Sequence, residues 1–119
     1  MKKNGIHVRV DGTLEWFLNG QLHRIGGPAV VYKEGTEEWR QYDKLHRDDG
    51  PAFTQRGYKA WWIRGERHRT DGPAVIQANG TFEWWVKYTR IRSAREFQNY
   101  TKCSDAELIK IVLMYGDIT

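Results

Sequence analysis

Apolar and polar positions alternate along most of this chain, and the alternation keeps restarting. Thr13-Leu-Glu-Trp-Phe-Leu18 is rich in β-forming residues and runs into Asn19-Gly20, the pair favoured in two-residue hairpin turns whose central residues need positive φ. The return stretch from Gln21 is interrupted by Gly27-Pro28 before Ala29-Val-Val-Tyr-Lys33. Proline has no amide donor, so Gly-Pro inside a strand predicts a bulge. A glycine then precedes a tryptophan by four positions at Gly12/Trp16, Gly35/Trp39, Gly57/Trp61 and Gly80/Trp84. His-Arg recurs at His23, His46 and His68, and Gly-Pro-Ala at Gly27, Gly50 and Gly72. A period of 22–23 residues predicts a stacked array, here an antiparallel β-meander of about four units with two strands each. Eight such strands at about 4.8 Å would span roughly 38 Å.

After Arg92 the spacing becomes helical. Ser93 with Glu96 and Ser104 with Glu107 fit capping boxes. Leu108, Ile111, Val112 and Tyr115 fall on one helix face, and Gly116 is a stop. The expectation is a mainly β domain, with a repeat array over 1–92 and a helical cap over 93–119. The array starts in mid-repeat at Ile6, and its fourth unit has Tyr88 and Ile91 in place of glycine and histidine. Terminal units of a stack are commonly atypical in this way.

Composition narrows the class further. A chain of 119 residues with six Trp, six Tyr and four Phe suits one domain with a modest, ring-rich core. It has no 18-residue apolar run, and Met1-Lys2-Lys3 is not followed by an apolar stretch, so neither a membrane span nor a secretion signal is expected. The lone Cys103 cannot form an internal disulfide, which fits a reducing cytoplasm. A net charge of +4 favours acidic partners weakly.

The pattern Trp-x-x-x-Gly-x-x-His of Trp16–His23 and Trp61–His68, followed by a second turn glycine, resembles the MORN repeat over residues 6–92. The chain departs from that repeat in having Trp in place of Tyr-x-Gly and Arg in place of the glycine after His. The resemblance implies two-stranded hairpins stacked into an elongated sheet. It also implies a scaffold or dimerising binding module with no catalytic residues. The added Gly-Pro-Ala is similar to a variant in small proteins of bacteriophages and bacteria. That would make this a phage accessory protein modulating a host component in the host cytoplasm.

Three residue rows carry candidate chemistry. Equivalent histidines (His23, His46, His68) lie two strands apart, roughly 9–10 Å, whereas Zn–N bonds are about 2.0–2.1 Å. They are therefore expected to bond backbone at the bulge, with no metal and no cofactor. Arg24, Arg47, Arg69 and Arg92 could track phosphates, but Asp48, Asp49 and Asp71 are close enough to pair with them. Period-two alternation puts Trp16, Trp39, Trp61 and Trp84 on a core face, with Gly20 and Gly35 making turns. The opposite face takes Arg40, Tyr42, Trp62, Arg64, Trp85 and Lys87, where rings and cations suit a flat anionic ligand. Against that stands a helical cap lying over this face, or cations simply stacked on neighbouring rings.

No nucleophile–base pair is visible: Ser93 and Ser104 read as caps, and Cys103 has no histidine implied by spacing. Glu15, Glu38 and Glu83 share a strand position but lie too far apart for paired-carboxylate chemistry. The sequence therefore predicts no enzyme but a non-catalytic binding module for a partner protein or its own copy. A homodimer joined near Trp16 and Trp39 is expected, because the cap is too short to cover that end of the sheet. The alternative is capture of a nucleotide signal or single-stranded nucleic acid on the Arg40/Trp62/Arg64 face.

Overall fold

Each tryptophan of the repeat marks the point where its strand changes partners. In a computed structural model describing residues 1–119, β1 (Gly5–Val8) leads into β2 (Leu14–Leu18), β3 (Gln21–Leu22) and β4 (Val30–Val31). The second unit holds β5 (Glu37–Glu38), β6 (Arg40–Gln41), β7 (Lys44–Leu45) and β8 (Phe53–Gln55). The third holds β9 (Tyr58–Ala60), β10 (Trp62–Ile63), β11 (Glu66–Arg67) and β12 (Val75–Ile76). Then come β13 (Phe82–Val86), β14 (Thr89–Ile91), α1 (Ala94–Thr101) and α2 (Asp105–Tyr115).

The protein is mainly β, with an antiparallel sheet in the order β1-β2-β4-β5-β8-β9-β12-β13-β14 and β3 paired to β2. The expectation of two strands per unit is corrected: each internal unit breaks into four short segments. The break follows from Gly-Pro. The N–H groups of Trp16, Trp39 and Trp61 donate to the Ala29, Ala52 and Ala74 carbonyls at 2.8, 2.6 and 2.7 Å. The carbonyls of the same tryptophans accept from the N–H groups of His23, His46 and His68. The Arg-x-x-Gly-Pro loop bulges out between those two bonds. One half of each unit thus joins the main sheet, while the other folds into a tight hairpin (β2/β3, β6/β7, β10/β11). Successive hairpins are tied by backbone bonds from Arg24 to Arg40, Arg47 to Trp62 and Arg69 to Trp85. The molecule is 51 Å along its longest axis and 20 Å along its shortest, elongated and not curled on itself.

The tryptophan row is not a uniform core. Trp84 is buried, but Trp16, Trp39 and Trp61 are half-exposed. The main cluster gathers at the helical end: Trp84, Val86, Ile91, Phe97, Ile111 and Ile118. Phe97 and Tyr115 meet the Trp84 ring edge-on, at 5.3 and 5.9 Å between centroids. Ser93 caps α1 by accepting the Glu96 N–H, and a Ser104/Glu107 capping box starts α2. Burying Trp84 in this way makes Trp84→Ala a loss of about 3–5 kcal/mol. Away from that cluster, Ala29, Ala52 and Ala74 are wholly buried, where the loop closes back on the strand.

Candidate functional site

The Arg row is consumed by the array itself. The Arg24, Arg47 and Arg69 guanidinium groups lie over the Trp16, Trp39 and Trp61 rings at 4.1, 3.8 and 3.9 Å. Each donates to the carbonyl of the proline in its own loop. Arg47 and Arg69 also pair with Asp49 and Asp71, and the bond from Arg47 holds the Asp49 carboxyl below its usual pKa. In the first unit Gly26 stands where those aspartates stand. The other side of each guanidinium presses on Gly27, Gly50 or Gly72, where an added Cβ would lie 2.7–2.8 Å from the arginine Cζ. Arginine is thus clamped between a ring and a glycine. Arg92 does not join the row: it is exposed, its backbone N–H donates to Glu96, and the cap residues Phe97 and Tyr115 take the corresponding place on Trp84.

The histidines tie one unit to the next. Nδ1 of His23, His46 and His68 accepts the N–H of Tyr42, Arg64 and Lys87 at 3.1, 3.0 and 2.9 Å. The backbone bond expected at the bulge is therefore made instead to the following hairpin turn. Asn4 Oδ1 does the same for the first turn, accepting from Asn19 at 2.9 Å. An accepting Nδ1 has its lone pair engaged and leaves the proton on Nε2. Burial, with Lys87 nearby, holds the His68 pKa below its ordinary value.

The face opposite the tryptophan row is different. Glu15, Val30, Glu38, Phe53, Ala60, Val75 and Glu83 line up across the main sheet, and in the hairpin half the aromatics begin. Arg67 is opposite Trp62 and Arg90 is opposite Trp85. The Arg67 guanidinium lies 5.2 Å from both ring centroids, and Arg90 lies 5.8 Å from Trp85. Rings and cations therefore alternate across two hairpins as Trp62, Arg67, Trp85, Arg90. Beneath them is one carboxylate. Glu83 Oε1 accepts Trp85 Nε1 at 3.0 Å while standing 4.0 Å from Arg67 and 3.6 Å from Arg90, and Oε2 accepts from Gln77. The Nε atoms of Arg67 and Arg90 are buried without a hydrogen-bond partner. Arg40, on the hairpin next to that of Trp62 and Arg67, is satisfied by Glu38 at 2.7 Å and by the Asp43 carbonyl at 2.7 Å.

The six residues expected on one face are divided. Arg40, Trp62 and Trp85 share the ladder face, but Tyr42, Arg64 and Lys87 do not. Those three are the first residues of the hairpin turns, with φ near +50°, and strand alternation stops there. Tyr42 packs against His23 with ring centroids 4.4 Å apart and planes inclined by 48°, and Arg64 and Lys87 line a cleft with Ile63 and His68 on the tryptophan side. The expected core face is uneven likewise: Trp84 is buried, whereas Trp16, Trp39 and Trp61 stay half-exposed, and Leu18, two residues after Trp16, is exposed. Arg67 and Arg90 were missed, although a two-residue turn at 64–65 makes residues 62 and 67 partners. The helices pack on the Trp84, Val86 and Ile91 side and leave the ladder uncovered.

No helix is long and apolar enough to cross a membrane. Comparison of the chain with known protein families, curated proteins and solved structures finds no match.

Proposed function

We propose that this chain is a non-catalytic binding module whose capture surface is the Trp62–Arg67–Trp85–Arg90 ladder. Its ligand is flat and anionic: a nucleotide or a short single-stranded nucleic acid. One observation carries the reading. Two half-exposed guanidinium groups, 4.0 and 3.6 Å from a single carboxylate that is already occupied by Trp85 Nε1, alternate with two half-exposed rings. Both arginine side chains are 31% exposed, so an incoming phosphate would be met by their outer guanidinium N–H groups, and charge-assisted bonds of that kind are among the stronger ones. Base stacking on tryptophan adds about 1–3 kcal/mol per base. The MORN-like assignment, a bacteriophage origin and a host target are proposals resting on the repeat motifs alone.

A protein partner is the second reading, favoured by the outer side of α2. Ile109, Leu113 and Met114 are 57%, 81% and 72% exposed there, on a helix that is apolar nearly all round.

Titration with mononucleotides and with ten-residue oligonucleotides at low salt, followed by tryptophan fluorescence and calorimetry, separates the two. Arg67→Ala and Arg90→Ala are expected to weaken binding about tenfold or more each. Arg47→Ala, which breaks a structural clamp, lowers stability and leaves affinity unchanged. Absence of binding to every such ligand, or indifference to both ladder substitutions, overturns the nucleotide reading.

A further inference from the structure

The two ends of the array are finished differently. One is closed by α1 and α2 over Trp84 and Ile91. At the other, β1 is the last strand of the sheet, and all four of its residues are exposed. Ile6 and Val8 are 59% and 61% exposed and Val10 is fully so. No proline, helix or crossing loop shields this edge, and a bare edge is a template for another strand.

Its backbone polarity can be read from the turn that follows. The Arg9 N–H donates to the Thr13 carbonyl at 2.8 Å, and β1 pairs with β2 in the register that joins His7 to Glu15 and Gly5 to Phe17. Bonding alternates along an antiparallel ladder. The inward groups are therefore those of Gly5, His7 and Arg9, and the N–H and C=O of Ile6 and Val8 point outward, unpaired.

We infer that β1 pairs antiparallel with β1 of a second copy about a two-fold axis at His7, joining two sheets edge to edge. The backbone and the charges select this register together. Outward groups lie on even-numbered residues, so even must oppose even. Opposing Ile6 to Ile6 places Lys3 against Arg9, and opposing Val8 to Val8 sets Ile6 against Val10, which has already left the strand for the turn. Opposing Ile6 to Val8 of the second copy does neither: Gly5 meets Arg9, the two His7 rings adjoin at the axis, and Lys3, just before the strand, lies towards the turn that carries Asp11. Ile6 and Val8 then exchange both backbone bonds and line up with Leu14 and Trp16 on one face. This is self-complementarity of apolar, charged and backbone groups at once, which a two-fold contact requires. It is independent of the ligand reading, since the ladder lies at the other end of the array. The earlier reason for a dimer, bare tryptophans at Trp16 and Trp39, is replaced: Arg24 and Arg47 already cover those rings.

A pairing of so few residues falls at the small end of interface sizes. Sedimentation velocity from about 10 μM to 1 mM should therefore show a shift from the 14.0 kDa chain mass towards twice that value. Val8→Pro removes an outward donor, and Lys3→Glu sets like charges together across the axis. Each should weaken association about tenfold or more, with near-ultraviolet circular dichroism showing the fold intact. Lys3→Glu gives up one contact, Nζ over the Phe17 ring at 5.2 Å, and leaves the backbone of β1 untouched, so it stays informative if Val8→Pro does not fold. A single species of chain mass at 1 mM overturns the inference. So does a dimer indifferent to Lys3→Glu and Val8→Pro, which would point to the outer face of α2, or a strand-sized peptide of another sequence competing equally with β1.

Discussion

Gly50→Ala separates two reasons for a glycine at this position, room for the Arg47 guanidinium and freedom of the backbone. The φ of Gly50 lies outside the left-handed region, so alanine meets no backbone strain there; it meets Arg47. The new Cβ would be 2.8 Å from Cζ and 2.9 Å from Nε. The guanidinium is the free end of a flexible side chain, so it moves away, and the cost is capped by what it leaves. Those contacts are the Trp39 ring at 3.8 Å, the Pro51 carbonyl at 3.3 Å and Asp49 at 2.9 Å. They are worth about 0.5–2 kcal/mol for the ring, about 0.5–1.5 for the carbonyl and about 0–1 for the surface pair. Restricting the unfolded chain returns about 0.4–1 kcal/mol. The net loss is about 2 kcal/mol at the middle of these ranges, read as a lower urea midpoint with an unchanged slope. In an Arg47→Ala background the same Gly50→Ala should cost nothing or stabilise slightly, giving a coupling of about 1–3 kcal/mol in the double-mutant cycle. Equal losses in both backgrounds would show that the glycine serves its backbone and not the arginine, and the clamp would be refuted.

Two further substitutions probe the turns and the inter-unit ties. Gly35 has φ +100° and open space around it; Gly35→Val should cost about 1–3 kcal/mol from backbone strain alone, and an unchanged thermal midpoint would contradict the turn. His68 has its pKa held below the ordinary 6.5 by burial and by Lys87, with Glu66 opposing. The unfolded chain therefore binds its proton first, so the stability this neutral ring contributes is full above pH 6.5 and is lost as pH falls through the lower folded value. Protonation also removes the acceptor for the Lys87 N–H. His68→Asn, which offers an oxygen as Asn4 does to Asn19, should flatten this part of the pH–stability curve; an unaltered curve would place the titration elsewhere.

Much of this architecture was legible because the repeat recurs in register. The hairpin at Asn19-Gly20, the bulge at Gly-Pro and both capped helices follow from local chemistry. What could not be read locally is what a side chain meets across the fold. Arg47 looked like a partner for Asp49 and is one, but its larger contacts are Trp39 and Gly50, on either side of the guanidinium. His46 reaches the next hairpin, 18 residues on, and not its own bulge. Alternation carried Arg40, Trp62 and Trp85 to one face, then failed at Tyr42, Arg64 and Lys87, where left-handed turn residues end the strand. The ladder's cations came from the returning strands, where Leu22 and Leu45 give way to Arg67 and Arg90. A row that begins apolar and ends basic is easy to overlook from its first two members.

The ladder is most directly tested by the salt dependence of oligonucleotide affinity measured calorimetrically on the wild-type chain. Two available arginines engaging two phosphates of a single strand give a slope of log K against log salt of about −1.4. Affinity should therefore fall about 25-fold over a tenfold rise in salt. A slope near zero, or no heat of binding at the lowest salt, would contradict phosphate capture by Arg67 and Arg90.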